Sequence, residues 1–182
     1  VKGRQLVKPS HAGSRRNRVF ALKILDLAQQ LVPVFAKRAK RRVIAHPKFY
    51  FFDAGVFQAV RPKGPLEAPE EISGAALETL FLEQLRALND YLGLGYALSY
   101  WRTATGEEVD FVLYGDRGLV AFDVKMTQRV RSDDLRGLRR FREVYRGART
   151  FFVYTGSRRW REAEIEVLPA RDALGTLGDL IG

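Results

Sequence analysis

Three short β-type runs separated by tight turns constrain the fold more than any other feature of the sequence. They are YALSYWR (96–102), EEVDFVLY (107–114) and LVAFDVK (119–125), and the turn signals between them are ATG and GDRG. Turns this short join consecutive strands as hairpins. The sequence therefore predicts an antiparallel meander of three strands.

One helical pattern precedes this meander, and a second helical pattern and further strands follow it. The segment GAALETLFLEQLRALNDYLG (74–93) has the apolar spacing of an amphipathic helix, and SDDLRGLRRFREVY (132–145) has the same periodicity. ARTFFVYTG (148–156) is typical of a buried strand, and a strand near IEVL and a terminal helix complete the chain. The order α-β-β-β-α-β predicts an α/β fold, with a mixed sheet flanked by helices.

The N-terminal third has a different organisation. Helical spacing predicts a helix in 15–35, and residues 43–60 combine aromatic and β-branched residues with proline and glycine, which indicates a short strand or hairpin. A helix followed by a basic hairpin resembles a winged helix. Residues 61–73 contain three prolines and no periodicity, as a linker does. The predicted division is therefore a basic module (1–60), this linker, and a main domain (74–182).

Positive charge is concentrated at the N-terminus. Residues 1–50 contain thirteen Lys and Arg against Asp26 alone, whereas the remainder contains eighteen against twenty acidic residues. This asymmetry favours a polyanionic partner, most simply nucleic acid, because Lys and Arg at phosphates release counterions. A solubilising surface, or a patch that docks an acidic protein, explains the composition equally well.

Composition excludes several classes of protein. The chain has no cysteine and only His11 and His46, so it has no disulfide framework and no zinc site built on thiolates or several imidazoles. Any metal ion must be held by oxygen ligands. The sequence has no tract of eighteen uncharged apolar residues, which predicts no membrane span and a cytoplasmic protein.

Acidic residues interrupt the apolar runs of the predicted meander. Asp123 and Lys125 lie two residues apart in LVAFDVK, so their side chains share one face about 6.6 Å apart along the strand. Asp110 interrupts the preceding strand and can approach Asp123 if the two strands pair. Glu78 lies beside the core-facing residues of the helix predicted for residues 74–93. These four side chains are the candidate site.

Three carboxylates and an amine suit metal-assisted hydrolysis of a phosphodiester bond. Mg²⁺ prefers oxygen ligands and lowers the pKa of bound water, and Lys125 would orient or deprotonate that water. The carbonyl oxygen of Val124 would complete the coordination. The alternative is an ordinary ion pair between Asp123 and Lys125, since an acidic-x-Lys tripeptide occurs about once by chance at this composition. Lys125 is nevertheless the only lysine after Lys63.

The segments ALETLFLEQL, YWRTATGEEVDFVL and LVAFDVK together resemble the PD-(D/E)xK restriction-endonuclease-like superfamily. With PKFYFFDAGVF before them, they are similar more narrowly to the C-terminal domain of unknown function of a large group of prokaryotic AAA+-like ATPases. The resemblance covers most of residues 16–175. It implies a restriction-endonuclease-like sheet, Mg²⁺ or Mn²⁺ as cofactor, and an ATPase domain as a partner.

The resemblance also implies a role for individual residues. Glu78 matches the acidic residue of the helix, Asp110 matches the aspartate of the strand, and Asp123 and Lys125 match the (D/E)xK pair. Gln128 stands where such folds often place a further polar residue of the site. Glu78, Asp110 and Asp123, with the Val124 carbonyl, would hold the metal ion.

The chain departs from the family in one respect. No GxxxxGK[ST] motif is present, so the ATPase half is absent and this chain is not expected to bind ATP in that manner. Together with the first residue, Val1, this departure predicts a truncated form or a natural remnant of a longer protein.

These observations lead to one main functional prediction and two alternatives. The main prediction is a DNA-binding, Mg²⁺- or Mn²⁺-dependent endonuclease domain. The first alternative is a non-catalytic module that binds nucleic acid or protein and regulates an ATPase partner, and the second is a docking domain whose basic N-terminus meets an acidic surface. Oligomeric state is left open.

Arginines near the C-terminal end of the predicted meander are a further candidate surface. Those in residues 129–149 would line a phosphate track, and Trp160 in RRWR (158–161) would stack on a base. The alternative is a solvated helix face and an ordinary loop. Residues 126–161 contain eleven basic and three acidic residues, which favours phosphate.

Overall fold

A six-stranded mixed sheet forms the centre of the protein in the computed structural model, which describes residues 29–36, 46–53, 55, 59 and 69–182. Its strands and helices are, in chain order, β1 (Gln29–Val32), β2 (Lys48–Phe51), α1 (Pro69–Tyr91), β3 (Ala97–Arg102), β4 (Glu108–Gly115), β5 (Gly118–Lys125), a 3₁₀ helix (Ser132–Leu135), α2 (Arg136–Val144), β6 (Arg149–Tyr154), β7 (Trp160–Glu162), β8 (Ile165–Pro169), α3 (Ala170–Gly175) and α4 (Leu177–Ile181).

The strand order in the large sheet is β3-β4-β5-β6-β8-β7. Strands β3, β4 and β5 pair antiparallel, β5, β6 and β8 pair parallel, and β7 returns antiparallel to β8. Helix α2 makes the crossover between the parallel strands β5 and β6, as such a connection requires. The predicted α/β class, the mixed sheet and the antiparallel meander are confirmed.

Each face of the sheet buries a separate hydrophobic cluster. On one face, Phe81 of α1 packs against Phe122, with ring centroids 5.3 Å apart, and Phe122 stacks on Phe151 at 5.0 Å. On the other face, Phe141 of α2 packs edge-on against Trp101 at 5.3 Å. These contacts hold α1 against β5, which contains Asp123, and α2 against β3.

Strands β1 and β2 form an antiparallel pair beside the large sheet. The segment after β1 runs parallel to β3, because the Phe35 N–H donates to the Tyr100 carbonyl at 2.6 Å and the Tyr100 N–H donates to the Pro33 carbonyl at 2.9 Å. Val32 and Tyr50 are buried in the same cluster as α1. The N-terminal strands therefore cover the β3 edge and contribute to the core.

The helix predicted for residues 15–35 is wrong at its C-terminal end. Gln29–Val32 is a strand, and Val34 forms a bridge with Tyr100. Burial of Val32 next to the exposed Leu31 follows the two-residue period of a strand, so pairing with β2 overrides the helical spacing. Residues 15–28 lie outside the described residues, and the winged-helix resemblance stays a prediction.

Helix α1 begins at Pro69, inside the segment that was predicted to be a linker. Proline is compatible with the first position of a helix, where its missing N–H is not needed. The division into 1–60, 61–73 and 74–182 stays a prediction. Strand β7 was missed because three residues are too few to show a period. None of the helices in the described ranges has the length and apolar character of a membrane span.

Candidate functional site

An irregularity in the β3–β4 ladder brings Asp110 to the α1 face of the sheet. The register shifts by one residue between Ser99 and Trp101, so Tyr100 lies opposite both Asp110 and Phe111. Phe111 packs in the cluster on the α1 face, where Tyr100 also lies. A bulge of this kind breaks the alternation of side chains and redirects one of them. Here it lets an acidic and an aromatic side chain share one face.

Asp110 and Asp123 lie side by side at the end of the β4–β5 ladder. The last residue pair of that ladder is Phe111 with Phe122, and the two aspartates are the next residues along their strands. Asp110 accepts a hydrogen bond from the buried Val124 N–H at 2.9 Å. The approach of the two aspartates that the sequence predicts is therefore confirmed.

Lys48 of β2 points into this pair of aspartates. Its Nζ atom lies 2.9 Å from Asp110 Oδ1, forms an ion pair with Glu108, and lies 5.5 Å from the centroid of the Tyr100 ring. Burial disfavours the ammonium, but the charge of Asp110 and the hydrogen bonds to both acids outweigh it and raise the pKa of Lys48. Lys48 therefore stays charged. It offsets the negative charge of the acidic site, which is formed by Glu78, Asp110 and Asp123.

Glu78 of α1 reaches the same region through Tyr50. The Tyr50 hydroxyl donates a hydrogen bond to Glu78 Oε2 at 3.1 Å, and its ring lies 5.8 Å from the ring of Phe111. Burial raises the pKa of Tyr50, so the phenol remains a donor. Strand β2 thus contributes one cation, Lys48, and one neutral donor, Tyr50, to the acidic site.

Two carboxyl groups of the acidic site have pKa values above the ordinary range. Burial, followed by the charge of Asp110, raises the pKa of Glu78 to about 7, against the opposing effects of Lys48 and Tyr50. Burial and then Asp110 also raise the pKa of Asp123 well above its ordinary value. Carboxyl groups that share a site cannot all be charged unless cations balance them. Burial and mutual repulsion therefore favour proton binding by Glu78 and Asp123, while Lys48 opposes it.

We expect substitution of Glu78 by glutamine to change how stability depends on pH. A raised pKa means that the folded protein binds the proton more tightly than the unfolded chain. The resulting stability is present below pH 4.5 and is lost as the pH rises through about 7. Since glutamine cannot ionise and can still accept the Tyr50 hydrogen bond, the variant should gain about 1–2 kcal/mol relative to wild type over this range.

Urea unfolding at several pH values measures this difference. Glu143→Gln is the matched control, because Glu143 is exposed and pairs with Arg140 on the surface of α2. The pH profile of the control should follow that of the wild type. Parallel profiles for Glu78→Gln and wild type would show that Glu78 ionises in the folded protein as it does in the unfolded chain.

The structure places the other two predicted site residues elsewhere. Lys125 is exposed and forms an ion pair with Asp134, which also accepts the Arg131 N–H at 2.7 Å. Gln128 lines a cleft together with Trp160. Glu78, Asp110, Asp123 and the Val124 backbone are therefore brought together, while Lys125 and Gln128 are not part of that group. Their catalytic and metal-binding roles stay predictions.

A lysine side chain contacts one of the carboxylates that were predicted to hold a divalent ion. Mg²⁺ needs several oxygen ligands at about 2.0–2.1 Å. Within the described part of the chain, no group of three or more His, Cys, Asp or Glu side chains is arranged to hold a metal ion. The Lys48 ammonium already contacts the oxygen of Asp110 that faces away from Val124. The positive charge at this site is therefore an amine.

Sequence reasoning missed Lys48 and Tyr50. The alternation in KFYF places both on one face of β2, opposite Phe49 and Phe51. That two-residue period indicates that Lys48 and Tyr50 share a face. Side-chain polarity alone would predict that phenylalanine faces the interior and lysine faces solvent. The structure has the reverse arrangement, with Phe49 47% exposed and Tyr50 7% exposed.

One comparison with known proteins gives a match. The model of a family described as a domain of unknown function (DUF4143) matches residues 73–173, which is 101 of the 182 residues. The matched range contains Glu78, Asp110 and Asp123, whereas Lys48 and Tyr50 precede it. No curated protein matches the chain at a significant level.

Proposed function

The chain belongs to the DUF4143 family, which is associated with AAA-like ATPases, and on this basis we propose that it is a nucleic-acid-binding module of such an ATPase. In this proposal the domain binds its partner without cutting it. The acidic site binds strand β2 of the β1–β2 pair. The basic surfaces contact the phosphates.

One observation carries the non-catalytic part of this proposal. The Lys48 ammonium lies 2.9 Å from Asp110 and also contacts Glu108, where a hydrolase of the predicted type would bind its metal ion. The predicted catalytic amine, Lys125, pairs with Asp134 instead. A hydrolytic site needs both the ion and a base or water-positioning group near it. Here the Lys48 ammonium lies where the ion would be expected, and Lys125 is paired with Asp134.

Charge supports nucleic acid as the partner. The chain has a net charge of +10, and residues 126–161 contain eleven arginines against three acidic residues. Several of these arginines pair with glutamates, as Arg159 does with Glu166, but Arg129 and Arg158 have no ion-pair partner among the described residues. Arginine recognises phosphate through paired N–H donors.

Two assays on the same preparation test this proposal. We expect the 182-residue chain to bind labelled DNA in fluorescence anisotropy, with an affinity that falls steeply between about 50 and 200 mM salt because counterions are released. We also expect no cleavage of plasmid DNA in Mg²⁺ or Mn²⁺. Absence of salt-dependent binding would reject the proposed partner, and metal-dependent cleavage would reject the non-catalytic role.

Metal-dependent phosphodiester hydrolysis is a second candidate, favoured by the adjacency of Asp110 and Asp123 on neighbouring strands. Its test uses the cleavage assay with Asp110→Asn, Asp123→Asn and Lys125→Ala. Cleavage by the wild type that is lost in all three variants would support this candidate. Equal cleavage by wild type and variants would indicate a contaminating nuclease.

A further inference from the structure

A cleft of about 580 Å³ opens on the α2 side of the sheet, where the parallel strands β5 and β6 end. In open α/β sheets, ligands often bind beyond the carboxyl ends of the strands. The side chains around this cleft are cationic, aromatic or amide-bearing, with a single aliphatic exception. They are Gln128, Arg129, Val130, Tyr154, Arg158 and Trp160.

The two walls of the cleft are joined by hydrogen bonds. The Thr155 N–H donates to the Thr127 carbonyl at 3.0 Å, and the Thr127 hydroxyl bonds the backbone of Arg129. The Tyr154 hydroxyl accepts from the Arg158 N–H at 2.9 Å and donates to the Arg158 carbonyl at 2.7 Å. The backbone of both arginines is therefore held in place before any ligand binds, which reduces the entropy that binding loses.

Gly156 is required for the walls to approach one another. A Cβ atom at this position would overlap the ring of Tyr154 and lie 2.9 Å from the Gln128 carbonyl oxygen. Any larger residue would push the two loops apart. The close approach of the Tyr154 ring and the Gln128 carbonyl therefore requires glycine at this position.

The arginines of the cleft differ from those around it. Arg159 pairs with Glu166 at 2.9 Å and Arg161 pairs with Glu164 at 3.2 Å, both on the neighbouring hairpin. Arg129 and Arg158 are exposed, and no carboxylate among the described residues forms an ion pair with either. Two exposed guanidinium groups on a held backbone, without acidic partners among the described residues, form a site for anionic groups.

Trp160 supplies an aromatic surface beside these cations. Its ring meets the Tyr154 ring edge-on, with centroids 5.4 Å apart, and the side chain remains partly exposed. A base can stack on the part of the indole that faces solvent, and such stacking contributes about 1–3 kcal/mol for each base. Positive charge next to an aromatic ring matches the chemistry of a nucleotide.

From this combination we infer that the cleft binds an unpaired nucleotide of single-stranded nucleic acid. Its base stacks on Trp160, and the flanking phosphates contact Arg129 and Arg158. The inference rests on the proposed function and specifies which form of nucleic acid the module recognises. A base must leave its stack to reach an indole ring, so a duplex cannot make this contact without opening.

The test compares three fluorescent probes with the 182-residue chain in anisotropy titrations. They are a thymidine strand of about 20 nucleotides, a duplex of equal length, and an abasic strand that keeps the phosphates but lacks bases. We expect the thymidine strand to bind at least about fivefold more tightly than the abasic strand, since only the former can stack. The duplex should bind more weakly than the thymidine strand.

Variants locate the contact within the cleft. Arg129→Ala with Arg158→Ala should lower the slope of log affinity against log salt by about 1.4, the value for two phosphate contacts to a single strand. Trp160→Leu should weaken the thymidine strand at least about fivefold and leave the abasic strand unchanged. The control Arg159→Ala should bind as wild type does, because Arg159 is already paired. Thermal unfolding shows whether each variant remains folded.

Failure of this inference differs from failure of the proposed function. One outcome would overturn the assignment of the cleft but leave a nucleic-acid-binding module. In that outcome all three probes bind with equal, salt-dependent affinity, and Arg129→Ala with Arg158→Ala does not change it. Loss of binding in the Arg159→Ala control to the same extent would also overturn it, since general charge would then explain the affinity. No binding of any probe would reject both.

Discussion

Substitution of Lys48 by methionine is expected to lower the free energy of unfolding by about 3–5 kcal/mol at neutral pH. The Lys48 side chain is 23% exposed and that of Asp110 is 12% exposed, so their ion pair is largely removed from water. Methionine preserves most of the volume but leaves the Asp110 carboxylate without its cation, whereas Glu108 keeps its ion pair with Arg102. Breaking a buried pair in this way is more destabilising than replacing both partners.

A double-mutant cycle isolates this interaction. Asp110→Asn removes the charge of the partner and can still accept the Val124 N–H through its amide oxygen. The double variant Lys48→Met, Asp110→Asn should therefore be less destabilised than the sum of the single variants, by at least about 1 kcal/mol. Urea unfolding at neutral pH gives all four values.

Lys125→Met is the matched control for Lys48→Met, because it removes the other lysine of the described residues. The Lys125 side chain is 52% exposed, so its ion pair with Asp134 is screened by water. Its removal should change stability by about 0–1 kcal/mol. Similar small losses for both lysine variants would contradict the assignment of Lys48 as the cation of the acidic site.

The pH dependence of the Lys48→Met loss has a definite sign. The charge of Lys48 lowers the pKa values of Glu78 and Asp123, so its removal should raise both values further in the folded variant. The loss should be largest near neutral pH and should shrink as the pH falls toward about 4, where Asp and Glu protonate in any case. A loss that is constant with pH would instead indicate a defect of packing.

Local sequence patterns predicted most of the large sheet, because its elements obey one period each. The runs that became β4 and β5 are preceded by the short turn signals ATG and GDRG, and α1 has a continuous apolar stripe ending before Gly93, whose φ of +60° favours glycine. These features depend on neighbouring residues only. The strand β1 was predicted as helix because its pairing with β2 is a contact between distant residues.

The candidate site could be predicted only in part for the same reason. The approach of Asp110 to Asp123 follows from the pairing of two adjacent strands, which turn length indicates. The bulge opposite Tyr100 does not follow from any local signal, since VDFVL has no glycine or other marker. Without the bulge, Asp110 and Phe111 would have pointed to opposite faces.

Lys125 illustrates a different limit of sequence reasoning. Its position two residues after Asp123 correctly places both on one face, but the side chain pairs with Asp134 from the 3₁₀ helix that follows. Lysine is long and flexible, so a shared face does not determine which acid it meets. The choice between neighbouring acids depends on how the chain turns after the strand.

The contribution of Lys48 also bears on how the domain joins its neighbour. The family match covers the acidic residues but begins after strand β2, which contains their cation, Lys48. The acidic site therefore links the DUF4143 domain to the preceding segment through one buried cation and the Tyr50–Glu78 hydrogen bond. The Tyr50 hydroxyl of β2 donates to Glu78, and burial raises the pKa of Glu78 to about 7, so we expect the docking of β2 to depend on the protonation of Glu78.

Gly137→Ala is expected to destabilise the protein by about 3 kcal/mol or more. Gly137 lies in the first turn of α2, where a Cβ atom would overlap the backbone carbonyl of Glu108 and lie 3.5 Å from Asp123 Oδ2. The obstacle is backbone at the start of β4, so it cannot rotate away as a side chain could. The added methyl must push α2 away from the sheet or displace the strand that contains Asp110.

Gly74→Ala is the matched control, because Gly74 lies in helix α1 and a Cβ atom there has no neighbour within 4 Å. The same change should stabilise the protein by about 0.5–1 kcal/mol, since alanine favours helix over the flexible unfolded chain. Urea unfolding of both variants separates helix propensity from steric overlap. If Gly137→Ala were also stabilising, α2 would have to lie farther from β4 than the geometry of Gly137 and Glu108 requires, and the approach of α2 to the acidic site would be refuted.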